Sequence, residues 1–141
     1  MSKKKVLVLC VNNSARSQMA EGLIRHYYGD RYEVVSAGVK PTEVHPYAIE
    51  VMREIGIDIS GQHSKHVREF AGMKFDYVLT VCGHSNEPGE ECPFFPGGSK
   101  YIHRSFEDPS KISGEYDKKL EKFREVRDQI RAWIDELFGQ K

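Results

Sequence analysis

Apolar and polar positions follow two rhythms along this chain. Residues 5–10 (KVLVLC) form an apolar run after a single lysine, the pattern of a strand buried on both faces of a parallel sheet. Over 16–28 the period lengthens. Met19, Leu23 and Tyr27 share a stripe, with Ala20 and Ile24 beside it, which predicts an amphipathic helix. Residues 33–36 (EVVS) read as a short strand closed by Ala37 and Gly38. Residues 45–55 predict a second helix burying Ala48, Ile49, Met52 and Ile55. A short helix over 64–72 would start at Ser64 as its cap. Residues 75–82 (FDYVLTVC) are the clearest second central strand, and 100–103 a last short one. Between them, 83–99 is a long loop rich in Gly and Pro. Over 115–138, Leu120, Phe123, Val126, Ile130, Trp133, Ile134 and Leu137 keep a 3–4 spacing with Arg127 outward, predicting a long closing helix.

Strands alternating with helices predict an α/β fold, a three-layer sandwich with a four-stranded parallel sheet and helices on both faces. The natural order is flavodoxin-like, 2-1-3-4. Ligands then bind beyond the carboxyl ends of the strands where the order reverses, between the first and third. Cys10 ends the first strand and Cys82 the third. Adjacent strands lie roughly 5 Å apart, so the two thiols are expected to face each other near the Cα separation a disulfide tolerates, about 4.4–6.8 Å.

Composition narrows the class. The 141 residues hold 39% hydrophobic and 30% charged residues, without repeat or low-complexity tract, which suits one domain over 1–141. Its 21 basic and 21 acidic residues balance, which argues against nucleic acid as partner. The opening MSKKK precedes only five apolar residues, too few for a secretory or membrane segment. A cytoplasmic location is expected, with no membrane partner. There, three cysteines do not make a structural disulfide framework. Nothing in the sequence demands a dimer, so a monomer is expected.

The chemistry concentrates in Cys10-Val11-Asn12-Asn13-Ser14-Ala15-Arg16-Ser17. A loop between a buried strand and a helix turns backbone N–H groups into its concavity, and the helix adds the positive end of its dipole. Mostly small residues allow a tight curl, and Arg16 supplies a planar fork of donors for a tetrahedral oxyanion. The same field favours the Cys10 thiolate, to which Ser17 can donate a hydrogen bond. The loop thus reads as an oxyanion cradle, Val11 to Arg16, holding an activated nucleophile. It lacks the glycine-and-lysine pattern of a nucleotide triphosphate loop.

This stretch resembles the phosphate-binding loop of low-molecular-weight protein tyrosine phosphatases and of the arsenate reductases that share their fold. The resemblance continues in order through SQMAEG (17–22), VSAG (35–38), IDIS (57–60), VCG (81–83) and EDP (107–109). It implies Cys10 as nucleophile, Arg16 with loop amides as oxyanion binder, and Asp108 before Pro109 as general acid. A phosphatase needs one catalytic thiol; reducing arsenate takes two electrons from further thiols. The thioredoxin-coupled reductases imply a relay through Cys10, Cys82 and Cys92, with no bound cofactor and thioredoxin as external reductant. Pro109 is followed by SKISGEYD, without the aromatic residues that line a phosphotyrosine slot in the phosphatases. Arsenate reduction is therefore the leading expectation. A tyrosine phosphatase using Cys10, Arg16 and Asp108 is the alternative, and a non-enzymatic oxyanion binder or redox sensor a third.

Three departures stand out. Nine residues (83–91) separate Cys82 from Cys92, where relatives have about six. Asn12 and Ala15 replace a frequent glycine and cysteine, and Asn12 is expected in the left-handed region, which asparagine tolerates. Some relatives bind potassium beside the loop. Asn13, Glu21 and Ser36 match that site, but Lys65 stands where an acidic ligand is expected, so its ammonium is expected to replace the ion. His63 and His66 lack partners for a zinc site. The alternating charges over 117–131 read as a solvated helix face.

Overall fold

The computed structural model describes residues 3–82 and 94–139. Four strands, β1 (Lys4–Cys10), β2 (Tyr32–Gly38), β3 (Phe75–Thr80) and β4 (Gly98–His103), form one parallel sheet in the order β2-β1-β3-β4. Three α-helices accompany it: α1 (Arg16–Tyr28), α2 (Pro46–Glu54) and α3 (Tyr116–Phe138). The expected α/β class and strand order are found, but among the described residues the three α-helices all pack on one face of the sheet rather than on both.

The continuous apolar run of β1 is explained by its place at the centre of the sheet. Val6, Val8 and Cys10 join the core beneath the α-helices, with Leu79 of β3, Leu23 of α1, Met52 of α2 and Ile130 of α3. Leu7 and Leu9 point the other way, packing with Ala37, Phe75, Val78 and Phe95. That face is covered by a 3-10 turn at Val67–Phe70.

Several local expectations change. No α-helix starts at Ser64. The 3-10 turn is capped by His66, whose side chain accepts from the Arg68 amide while Glu69 returns a bond to the His66 amide. In α2, Val51 is buried with Ala48 and Met52, whereas Ile49 and Ile55 only border the core. In α3, Phe138 is buried rather than Leu137. Arg127 turns inward: its Nη1 donates to the Val51 carbonyl at 2.8 Å and to Glu54 at 3.0 Å. A guanidinium can occupy this seam because both polar partners come with it.

Candidate active site

The site forms where β1 and β3 end. Cys10, Asn12, Ser14, Ala15, Arg16, Thr42, Asp108 and Ser110 line a cavity of about 180 Å³. Its shape follows from the backbone carbonyls of residues 11–15. Val11 O accepts from the Lys40 amide, Asn12 O from the Thr42 amide, Ser14 O from the His45 amide and Ala15 O from the Met19 amide. Asn13 O accepts from the Gln18 side chain. In a trans peptide the N–H lies opposite the C=O. Carbonyls drawn outward into bonds with the 40–45 segment and α1 therefore leave the loop amides facing the concavity. Such an arrangement suits an anion by hydrogen-bond accounting as well as by charge.

Asn13, not Asn12, takes the left-handed backbone, with φ 50°. Its side chain makes the turn worthwhile. Nδ2 donates to Ser17 Oγ at 2.8 Å and Ser36 Oγ at 2.9 Å, and Oδ1 accepts from the Lys65 amide at 2.9 Å. Asn12 instead ties outward, Nδ2 donating to the Lys40 carbonyl at 3.0 Å. Ser64, expected as a helix cap, is a strut of this loop: its hydroxyl donates to Asn12 O and accepts from the Thr42 amide.

Arg16 is 2% exposed. Its Nη1 donates to the Phe106 carbonyl at 3.0 Å, and its Nη2 lies 3.5 Å from Asp108 Oδ2. These contacts lock the guanidinium plane and bring the Asp108-Pro109 turn over the cavity. Asp108 caps a 3-10 turn at Pro109–Lys111; its Oδ1 accepts from the Ser110 amide at 3.0 Å and the Ser110 hydroxyl at 2.6 Å. Lys122 of α3, 3.1 Å from Glu107, anchors the same turn from outside. His45 packs its ring on Phe123, and its Nδ1 accepts from the Tyr47 amide. Burial holds the His45 imidazole below its usual pKa, opposed by the negative charge of Asp108.

Cys10 is buried and carries a thiol. Cys82 lies two residues past β3, its Sγ 4.0 Å from the Leu9 carbonyl, next to Cys10 in sequence. Cys82 is disulfide-bonded, though not to Cys10. Cys92 lies outside the described residues.

The potassium-type residues fit their own partners rather than an added cation. Ser36 donates to Glu21 Oε1 at 2.5 Å, Lys65 Nζ lies 3.8 Å from that oxygen, and Arg25 Nη2 is 2.7 Å from Oε2. Glu21 thus already faces two cationic groups, and Asn13 Oδ1 is engaged by the Lys65 amide. Among the described residues no group of three or more His, Cys, Asp or Glu is placed to hold a metal ion. No helix among them is long and apolar enough to cross a membrane.

Sequence reasoning gave no role in the site to the outer struts of the loop, Gln18, Gly38, Lys40, Thr42, His45 and Ser64, or to Ser110, which holds Asp108. Gln18 and Gly38 lay within the matching SQMAEG and VSAG motifs without a role assigned, and the spacing of Ser110 two residues after Asp108 allows a side-chain-supported turn.

A parallel four-stranded α/β domain with a cysteine and an arginine at the two ends of an oxyanion loop, and an Asp-Pro turn above it, defines a class of oxyanion-processing enzymes. The chain belongs to the low-molecular-weight phosphotyrosine protein phosphatase family, whose model matches residues 5–141. It is 44% identical to an arsenate reductase from Halalkalibacterium halodurans over 92% of this chain and 91% of that one. Among solved structures it resembles an arsenate reductase in its phosphate-binding state, with a TM-score of 0.78, 35% identity, and 96% and 97% of the two chains covered. It also resembles a thioredoxin-dependent arsenate reductase from Corynebacterium glutamicum, with a TM-score of 0.66 and 34% identity, covering 98% of this chain and 64% of that one.

Proposed function

We infer that this chain is an enzyme that reduces arsenate to arsenite, with Cys10 as nucleophile and thioredoxin as external reductant. The observation that carries the reading is the composition of one small cavity. A thiol, a buried guanidinium and a carboxyl group share it with the inward face of the loop, and among the described residues no aromatic ring lines it. A tetrahedral inorganic anion needs only that; an aryl ester would also need a slot for its ring.

In the first step the Cys10 thiolate attacks arsenic. The As–S bond forms, an As–O bond breaks, and the proton of Asp108 leaves with that oxygen as water. The Arg16 fork and loop amides hold the charge on the remaining oxygens. Ser17, held by Asn13 Nδ2, supplies its hydroxyl to the Cys10 thiolate. Next, the Cys82 thiolate attacks Cys10 Sγ. The S–S bond forms and the As–S electron pair stays on arsenic, which leaves as arsenite. Cys92 then attacks Cys82, returning Cys10 as a thiolate, and the thioredoxin dithiol reduces the Cys82–Cys92 disulfide. Two features support this order: the Cys82 sulfur beside the end of β1, and the Cys10 thiol coexisting with a disulfide-bonded Cys82. The similarity to named arsenate reductases, one of them thioredoxin-dependent, points the same way.

The test is NADPH consumption with arsenate, thioredoxin and thioredoxin reductase. Wild type is expected to turn over steadily, and Cys82→Ser and Cys92→Ser to lose turnover. Activity kept in Cys92→Ser would replace the relay by a two-cysteine scheme. No turnover with arsenate, beside brisk aryl phosphate hydrolysis, would make the chain a phosphatase.

Lys65 also predicts how the enzyme responds to salt. With its ammonium and Arg25 beside Glu21, exchanging sodium for potassium chloride is expected to change the arsenate reduction rate by less than about twofold, since like charges would have to share one site. Lys65→Asp should create a potassium response. A large gain by wild type in potassium would show that the ammonium does not replace the ion.

A further inference from the structure

Ser110 stands outside the Cys10–Arg16 loop, yet its side chain belongs to the same cavity. Its hydroxyl and its own amide both donate to Asp108 Oδ1, at 2.6 and 3.0 Å. The other oxygen, Oδ2, is turned to Arg16 at 3.5 Å. The amide bond is a turn feature any residue but proline would supply. The hydroxyl is particular to this sequence, and it is the shorter bond.

We propose that Ser110 is a positioning residue for the reaction: its hydroxyl keeps Asp108 Oδ1 as an acceptor and so fixes the acid proton on Oδ2, the oxygen facing the anion cradle. The inference rests on Asp108 acting as the general acid. A protonated carboxyl group has one donor oxygen and one acceptor oxygen. A proton on Oδ1 would oppose two N–H and O–H donors already aimed there. On Oδ2 the proton meets a longer contact, Arg16 Nη2 at 3.5 Å against 2.6 and 3.0 Å on Oδ1, and faces the cavity that Cys10 and Arg16 line. The step balances as thiolate, dihydrogen arsenate and Asp108 carboxylic acid giving the Cys10 thioarsenate monoanion, water and Asp108 carboxylate. The carboxylate so formed keeps both Ser110 donors, so the same contacts that orient the acid also stabilise its conjugate base.

The experiment is single-turnover arsenite formation by the full, pre-reduced chain, with the arsenate dependence measured for each variant. Ser110→Ala is expected to slow the limiting rate about tenfold, the scale of one hydrogen bond to a charged group, while half-saturating arsenate stays within about twofold. Ser110→Thr, which keeps the hydroxyl, should restore the rate. In an Asp108→Asn background, Ser110→Ala should cause no further slowing, because there is no acid proton left to place. An unchanged rate in Ser110→Ala would overturn the proposal, as would equal slowing in the Asp108→Asn background, the mark of a merely structural turn. A rise in half-saturating arsenate at constant limiting rate would make Ser110 an anion ligand instead. If Asp108→Asn itself runs at the wild-type rate, the general-acid reading falls and this inference with it; a slow Asp108→Asn beside a normal Ser110→Ala removes only this inference.

Discussion

Replacing Arg16 with lysine is expected to lower kcat/KM for arsenate by about 10²- to 10³-fold, the scale measured for removing a preorganised oxyanion donor. Charge is conserved in this substitution; geometry is not. The guanidinium is buried, with one nitrogen on the Phe106 carbonyl and another near Asp108. These contacts hold its plane at the mouth of the loop. An ammonium on a flexible stem presents a point charge, and satisfying the Phe106 carbonyl would draw it away from the cradle. The effect should reach both KM and kcat if, as proposed, the same fork binds the anion and stabilises the charge that develops in attack. Thermal stabilisation by inorganic phosphate, a ligand of one similar structure, should weaken in parallel. Steady-state kinetics and a melting curve with and without phosphate check both. A variant within threefold of wild type in kcat/KM would remove Arg16 from the oxyanion site.

How much of this was legible in the sequence depends on the range of the contact that decides each feature. The order of the sheet and the course of β1 follow from a local pattern, since a run apolar at every position can only lie between two covered faces. The Cys10–Arg16 loop is local too. What escaped is set by partners far along the chain. Ser64 looks like a cap next to a helix-like stretch, but its hydroxyl is claimed by Asn12 O, 52 residues away. Arg127 sits in a charged run and should face water, but the Val51 carbonyl and Glu54 lie where it can bury. Both asparagines tolerate a left-handed backbone. Asn13 takes it in the structure, with its side chain bound by Ser36 and the Lys65 amide, partners far along the chain. Asn13, Glu21 and Ser36 were readable as a cation-binding group through resemblance, with Lys65 in place of an acidic ligand, but the second cation beside Glu21, Arg25, came from helical spacing that no motif marks. Ser110 was read only as a residue that is not aromatic. Its hydroxyl's role depends on the turn that Asp108 and Pro109 impose.

Gly38 gives the second large effect; the sequence marked it as the end of a strand and of the matching VSAG stretch, without saying what it does. It closes β2 opposite Cys10 in the sheet register. A Cβ built there would lie 2.4 Å from the Val11 carbonyl oxygen, 2.9 Å from that of Cys10 and 3.0 Å from the Asn13 amide nitrogen. All three are backbone atoms of the oxyanion loop, so no side chain can rotate away. The glycine amide meanwhile donates to the Lys65 carbonyl, which pins Gly38 from the other side. Gly38→Ala must therefore push the loop itself. Overpacking of this kind costs about 1–3 kcal/mol of stability, and a shift of about 1 Å at a reacting group can cost about 10²-fold in rate. The expected result is a folded protein with a lower unfolding midpoint and arsenate reduction down by about 10²-fold. A control separates the two effects. Gly61→Ala, where a Cβ meets nothing within 4 Å, should leave the rate unchanged. Chemical denaturation measures the stability change and single-turnover arsenite formation the rate. If Gly38→Ala lost stability yet kept its rate, the carbonyl-out arrangement of residues 11–15 would tolerate displacement, and the cradle would owe its anion affinity to Arg16 rather than to the loop amides.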